Sequence, residues 1–178
     1  MGGSAVSLVR VDRVVVGVTG SLGNLAALHA AVAEAQRCHA PLVMVNAWTP
    51  PGGETGYRRA PWRPILDLCR EQAATTLSTA MFDAFGGPPP GLSVSTVLIR
   101  GQAGQALVHL SGHPGDLLVV GAGRRGRLAR YRHGAVARYC LSHALGPVLA
   151  VPPPELLRAL SSGPRRQLSR AGIAQFRS

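Results

Sequence analysis

Leu117–Val151 reads LLVVGAGRRGRLARYRHGAVARYCLSHALGPVLAV: a continuous apolar run, a glycine- and arginine-rich loop, an amphipathic stretch and a second apolar run. Short apolar runs bounded by turn residues are the pattern of strands buried on both faces. A glycine-rich loop between such a strand and a helix is where α/β proteins hold phosphates, because free backbone N–H groups and the positive end of the helix dipole point outward there.

The same pattern recurs upstream. Arg13–Val18 (RVVVGV) is a buried strand, Thr19–Asn24 a turn with capping residues, and Leu25–Cys38 a helix whose Leu25, Leu28, Val32 and Ala35 share one face. Pro41–Trp48 is a second buried strand. Thr49–Arg63, rich in proline and glycine, reads as a long loop. Ile65–Phe85 carries a helical stripe through Leu68, Cys69, Ala73, Leu77 and Met81, closed by GGPPPG. Leu92–Ile99 follows as a strand, Gln102–Ser111 as a helix, Asp116–Val120 as a strand, Gly134–Ala144 as a helix and Gly146–Val151 as the last strand. Five strands alternating with four helices predict an α/β fold: a five-stranded parallel, doubly wound sheet with helices on both faces. Right-handed crossovers bring the strand C-terminal ends to one edge, where Thr19, Asn46 to Trp48, Arg100-Gly101 and the Gly121 loop converge as the expected binding site.

The chain has 178 residues, one domain's worth, and is 46% apolar, which supports a sizeable core; with aromatics at 4% that core rests on Ala, Val and Leu. Residues 1–12 read as an N-terminal extension, 13–152 as the domain, and 153–178 as a basic, partly disordered tail opened by Pro152-Pro153-Pro154. The formal net charge is +11, and all 19 basic residues are arginine, so mechanisms needing lysine are excluded, Walker-type phosphate binding and Schiff-base chemistry among them. The charge admits two readings, attraction to phosphate-bearing partners or a solvated basic surface. Without aromatic–basic alternation or zinc-finger spacing, nucleic-acid binding is expected to be weak and salt-sensitive. Cys38, Cys69 and Cys140 are odd in number and far apart, which suggests neither disulfide framework nor metal site and fits a reducing cytoplasm. No apolar run approaches the ~18 residues of a spanning helix, so no membrane partner is expected.

Gly121, Gly123 and Gly126 match the dinucleotide pattern G-x-G-x-x-G, but the match follows the fourth strand and has no acid about twenty residues on; the next acid is Glu155. A nicotinamide or flavin site is not expected. No nucleophile stands at recognisable spacing from a base, so no catalytic residue is assigned and the chain is read as non-enzymatic. His109 and His113 stand i, i+4 as a candidate metal pair without a third ligand; a capping or surface role is the simpler account, and no metal is expected. Asp116 reads as a turn residue, and Tyr57, Arg58, Arg59 and Trp62 as a mobile loop or a basic-aromatic lip over the site edge.

RVVVGVTGSLGNLAALHAAVAEAQRCHAPLVMVNAW near the start and DLLVVGAGRRGRLARYRHGAVARYCLSHALGPVLAVP near the end together resemble the universal stress protein family, over Arg13 to Pro152. The resemblance implies a five-stranded parallel α/β sandwich and a homodimer built through the last strand. It also implies, for one branch, ATP binding through Gly-x2-Gly-x9-Gly-Ser/Thr after strand four. In that branch an Asp ends strand one, and backbone groups at the end of strand two lie near the adenine. Carried onto this chain, the site comprises Val18, Thr19, Val45, Gly121, Arg124, Gly134 and Ala135. Thr19 stands where the acid would be, Arg124 at the second glycine, and Ala135 at the hydroxyl position. An arginine does not replace glycine's φ freedom, and alanine removes a phosphate donor. The expectation is a stress-response domain with a degenerate nucleotide loop and no cofactor. The alternative is an ATP- or adenine-nucleotide-binding regulator in which Arg124, Arg125, Arg127, Arg130 and Arg132 compensate through their guanidinium forks; a nucleic-acid module is the third reading.

Overall fold

A computed structural model describes residues 10–20, 22–122 and 134–154. The expectations for Arg124, Arg125, Arg127, Arg130 and Arg132, for most of the N-terminal extension and for the tail from Glu155 lie outside the described residues.

The elements run β1 (Arg13–Gly17), α1 (Leu22–Cys38), β2 (Leu42–Trp48), α2 (Gly53–Arg59), α3 (Arg63–Phe85), β3 (Val94–Arg100), α4 (Ala103–Leu110), β4 (Asp116–Gly121), α5 (Ala135–His143) and β5 (Val148–Val151). All strand pairs are parallel, and the sheet order is β3-β2-β1-β4-β5. The central strands are buried on both faces. Val14 and Val16 pack with Leu42, Met44, Leu117 and Val119 under residues of α1 and α3; Val15 packs with Val43, Val45, Leu118 and Val120 under residues of α4 and α5. Side chains alternate across a strand, so one continuous apolar run supplies both layers. The edge strands β3 and β5 are only half-buried, apart from exposed Ser95, Thr96 and Arg100 of β3.

Several local expectations are corrected. The long loop contains α2, because Gly53–Arg59 (GETGYRR) is itself free of proline; Gly52 and Gly53 take φ of 73° and 70°, and the Gly53 N–H closes a turn onto the Pro50 carbonyl at 2.8 Å. Glu54 in the first turn and Arg58 and Arg59 in the last complement the helix dipole. Among the described residues the helices therefore number five, not four. α4 stops at Leu110, so His113 lies beyond it and the i, i+4 pairing with His109 on one helix does not form. Asp116 is no turn residue: it opens β4, is 3% exposed and is ion-paired to Arg13.

α3 begins with Pro64 in its first turn, where the missing N–H costs nothing, and stops at Gly86, whose φ of 71° lets its N–H cap the Phe82 carbonyl at 2.7 Å. The three cysteines are free and all helical, with Cys140 fully buried. Among the described residues no helix is long and apolar enough to cross a membrane.

Candidate functional site

In this strand order the chain leaves β1 toward the α1/α3 face and leaves β4 toward the α4/α5 face. A crevice therefore opens beyond the C-terminal ends of these two neighbours. Its first wall is the β1–α1 turn, held by three elements. The Val18 N–H donates to the Val45 carbonyl at 2.7 Å, extending the β1/β2 ladder one residue past the strand. Asn46 Nδ2 donates to the Val18 carbonyl at 2.9 Å. Turned to face its neighbours correctly, the Asn24 amide donates to the Gly17 carbonyl at 3.0 Å and accepts from the Thr19 N–H at 2.8 Å. Asn24 and Asn46 are both buried, so these bonds satisfy amides that would otherwise be costly in the interior.

Val45 is thus a strut of the turn. By strand alternation, the peptide groups of Ala47 face the same side as those of Val45, past the end of β1. Gly17 packs against α4: a Cβ there would meet Leu107 Cδ1 at 2.8 Å.

The second wall is formed by Gly121 and Ala122 at the end of β4 and by Gly134 and Ala135 at the start of α5. The Ala122 N–H is bound to the Val151 carbonyl at 2.7 Å, which ties this wall to the end of β5. Gly134 has an ordinary helical φ of −95°, and a Cβ there would lie 3.2 Å from the far end of the exposed Arg138 side chain and 3.8 Å, an ordinary contact, from the Ala122 carbonyl, so neither φ nor space demands glycine. Ala135 is exposed and offers no hydroxyl to the helix N-terminus.

Of the expected site residues, Val18, Thr19 and Val45 therefore gather on the first wall and Gly121, Gly134 and Ala135 on the second, while Arg124 lies outside the described residues. Thr19 is exposed at the lip of the turn. The sequence reads Asn24 only as part of a capping turn and Asn46 only as part of the strand-end edge; the structural role of Asn46 follows from an amide inside the apolar run PLVMVNAW having to find a partner.

The candidate lip is elsewhere than over the crevice. Glu54 of α2 takes a two-pronged bond from Arg100 at the end of β3, Nε and Nη2 each at 2.8 Å, and the same guanidinium lies 4.7 Å from the centre of the Tyr57 ring. These contacts dock α2 at the β3 edge of the sheet, two strands from the crevice; Arg58, Arg59 and Trp62 are exposed. The Arg100 bond draws the Glu54 carboxyl below its usual range.

The model of the universal stress protein family matches residues 10–152. Solved structures with the same architecture include a universal stress protein in complex with cAMP, 26% identical, with 79% of this chain and 95% of that one covered at a TM-score of 0.50. They also include UspA from Lactobacillus plantarum, 22% identical over 79% of this chain and 98% of that one at 0.62. A universal stress protein from Archaeoglobus fulgidus is 20% identical over 78% and 97% at 0.55. A comparison with curated proteins finds no match.

Proposed function

This chain belongs to the universal stress protein family, and we propose that it serves stress adaptation in the cytoplasm by binding rather than catalysis, with an ATP mode that is weakened or lost. One observation carries this reading: both walls of the switch-point crevice are built, yet each carries a substitution at a chemistry-bearing position, Thr19 on one and Ala135 on the other. The turn geometry is held by buried Asn24 and Asn46 through the backbone of Gly17, Val18 and Thr19.

A homodimer through β5 completes the reading. Val148–Val151 forms a half-buried edge strand, and Leu141 and Leu145 beside it are 56% and 76% exposed, so a second copy would cover an apolar edge that is otherwise prone to promiscuous pairing.

The alternative, an adenine-nucleotide-binding regulator, draws support from the likeness to the family structure in complex with cAMP. A nucleic-acid role draws on charge alone. Among the described residues nine arginines face seven acids, and ten of the nineteen arginines lie in 123–133 and 155–178.

Calorimetric titration with ATP tests the principal reading. The wild-type chain should give no saturable heat at micromolar concentration, and the triple variant Thr19→Asp/Arg124→Gly/Ala135→Ser should gain at least about tenfold in affinity, roughly 1.4 kcal/mol. Micromolar affinity in the wild type would replace the principal reading with the alternative.

A further inference from the structure

Of the two sheet edges, β3 is the longer and the less protected. Val94–Arg100 (VSTVLIR) runs seven residues without proline, and its one charge, Arg100, stands last and is taken by Glu54. β5 runs four residues between Pro147 and Pro152. Edge strands are ordinarily blunted by brevity, proline or charge, because their free backbone groups template pairing. In the register with β2, the Leu42 N–H donates to the Ser93 carbonyl and the Gly101 N–H to the Trp48 carbonyl, so the ladder uses the odd-numbered peptide groups of β3. Those of Val94, Thr96, Leu98 and Arg100 point away from the sheet.

Apolar surface flanks this edge on both faces. Val97 and Ile99 are half-buried on the α4/α5 side, where α4 lies over β1 and β2 and α5 over β4 and β5, and neither packs closely on β3. A parallel sheet is normally covered on both faces. On the other side α3 lies over β2 and β3 and turns Thr76 and Ala80 toward the first turns of α1. Helical spacing puts Phe82 on the opposite flank, toward the β3 edge, and its side chain is 68% exposed.

We propose that this edge docks a second copy of the chain, the two β3 strands pairing antiparallel about a twofold axis at Val97 and joining two sheets into one. A row of backbone donors and acceptors selects an extended strand as occupant, and β3 is complementary to itself. In this register Val94 of one copy opposes Arg100 of the other and Thr96 opposes Leu98, so every outward residue of the strand is bonded. Val97 meets its own counterpart, and Ile99 meets Ser95, on the face that α4 leaves open. The two Arg100 side chains stand at opposite ends of the ribbon, so the strand pair brings no like charges together. The same axis turns the α3 flanks bearing Phe82 toward each other. One strand and one helix flank make an interface of the small class, under about 1,200 Å² in total, whose complexes are weak. The pairing is independent of the β5 dimer, which uses the opposite edge.

The test isolates this edge by blocking the other. Ala150→Pro removes an N–H that points away from β4 and leaves the β4/β5 ladder intact. Sedimentation equilibrium of that full-length variant, from tens of micromolar to about 1 mM, should still show a monomer–dimer equilibrium. Hydrogen exchange at the Thr96 and Leu98 amides should slow as concentration rises. Adding Thr96→Pro, which spares the ladder to β2, should abolish association, and Phe82→Ser should weaken it about fivefold. Val97→Lys and Val97→Glu, each in the Ala150→Pro background, should be monomeric alone and associate when mixed, because the axis sets residue 97 against itself. A monomer at every concentration, association that survives Thr96→Pro, Thr96 and Leu98 amides already protected in the monomer, or charge variants that pair no better mixed than alone would each overturn the proposal.

Discussion

Arg13 grips Asp116 with two nitrogens, Nε at 2.9 Å from one carboxylate oxygen and Nη2 at 2.6 Å from the other, across a sequence gap of 103 residues. The pair joins the first residues of β1 and β4, directly opposite in the parallel register. Nη2 also donates to the Leu110 carbonyl at 2.9 Å, and the His113 N–H donates to Asp116 at 3.3 Å, so the clamp collects the end of α4 and the turn entering β4 as well. Burial by itself raises the Asp116 pKa; the Arg13 bond, the His113 N–H and the guanidinium charge outweigh it, and the net shift is downward.

A carboxyl with a depressed folded pKa stabilises fully above its unfolded value, about 3.9, and that contribution is lost as pH falls through the folded value. Asp116→Asn should therefore cost about 2–3 kcal/mol near neutral pH, less than for a fully buried pair because the Arg13 side chain is 29% exposed. Urea midpoints should show the deficit shrinking below about pH 4. A deficit independent of pH would show that the ion pair is not its source.

Asn46→Ala should destabilise by ~1–3 kcal/mol by leaving the Val18 carbonyl without its buried donor. Asn24→Ala acts on the same turn through Gly17 and Thr19. The double variant should deviate from additivity by more than about 0.5 kcal/mol, which a double-mutant cycle measures. Additive losses would mean that the two amides hold separate structures.

Gly104→Ala places a Cβ 2.8 Å from the Tyr139 ring of α5 and should cost ~1–3 kcal/mol by overpacking. Gly86→Ala meets nothing within 4 Å yet holds a φ of 71°, so it should cost about 1 kcal/mol through strain. Only the first penalty should shrink in a Tyr139→Ala background, as thermal melts of the three single and two double variants would report. Relief of both, or of neither, would contradict this division.

Burial raises the Cys140 thiol to about 11, whereas Cys38 and Cys69 are half-buried. Since the thiolate is the reactive form, titration with a disulfide reagent at mildly alkaline pH should give two faster equivalents and one that reacts only at the rate of opening. Three equal rates would place Cys140 nearer the surface than the structure does.

Glu54→Ala should leave the global melting midpoint unchanged, because the pair with Arg100 is solvent-exposed, while speeding trypsin cleavage after Arg58 and Arg59 as α2 loses its anchor. Unaltered cleavage would show that the Tyr57 stack alone holds α2 in place.

Much of the architecture was readable because the apolar runs at Val14–Val16, Leu42–Val45 and Leu117–Val120 are continuous, and a strand with no polar face must be covered on both sides. α2 escaped because flanking prolines and glycines dominate its window, although its seven residues contain no proline. Half of the site was legible as backbone: Gly121 and Gly134 stand out as glycines at the ends of a loop. Gly134 is demanded by neither φ nor space, however, which only the backbone there and the exposed Arg138 side chain reveal.

The sequence alone determined the five strands and every described helix but α2, that the strands are parallel, and which positions depart from the family's nucleotide pattern, because hydrophobic period and residue chemistry are local properties. Tertiary structure decided what each polar residue does once buried. Asp116 could pass for a turn residue until β4 was laid beside β1 and Arg13 came opposite. Asn46 had no partner within its own strand, and its donor meets Val18 only because β1 and β2 are in that register. In each case the energy of a polar group depends on what shares its low-dielectric surroundings, and those neighbours come from elements distant in sequence.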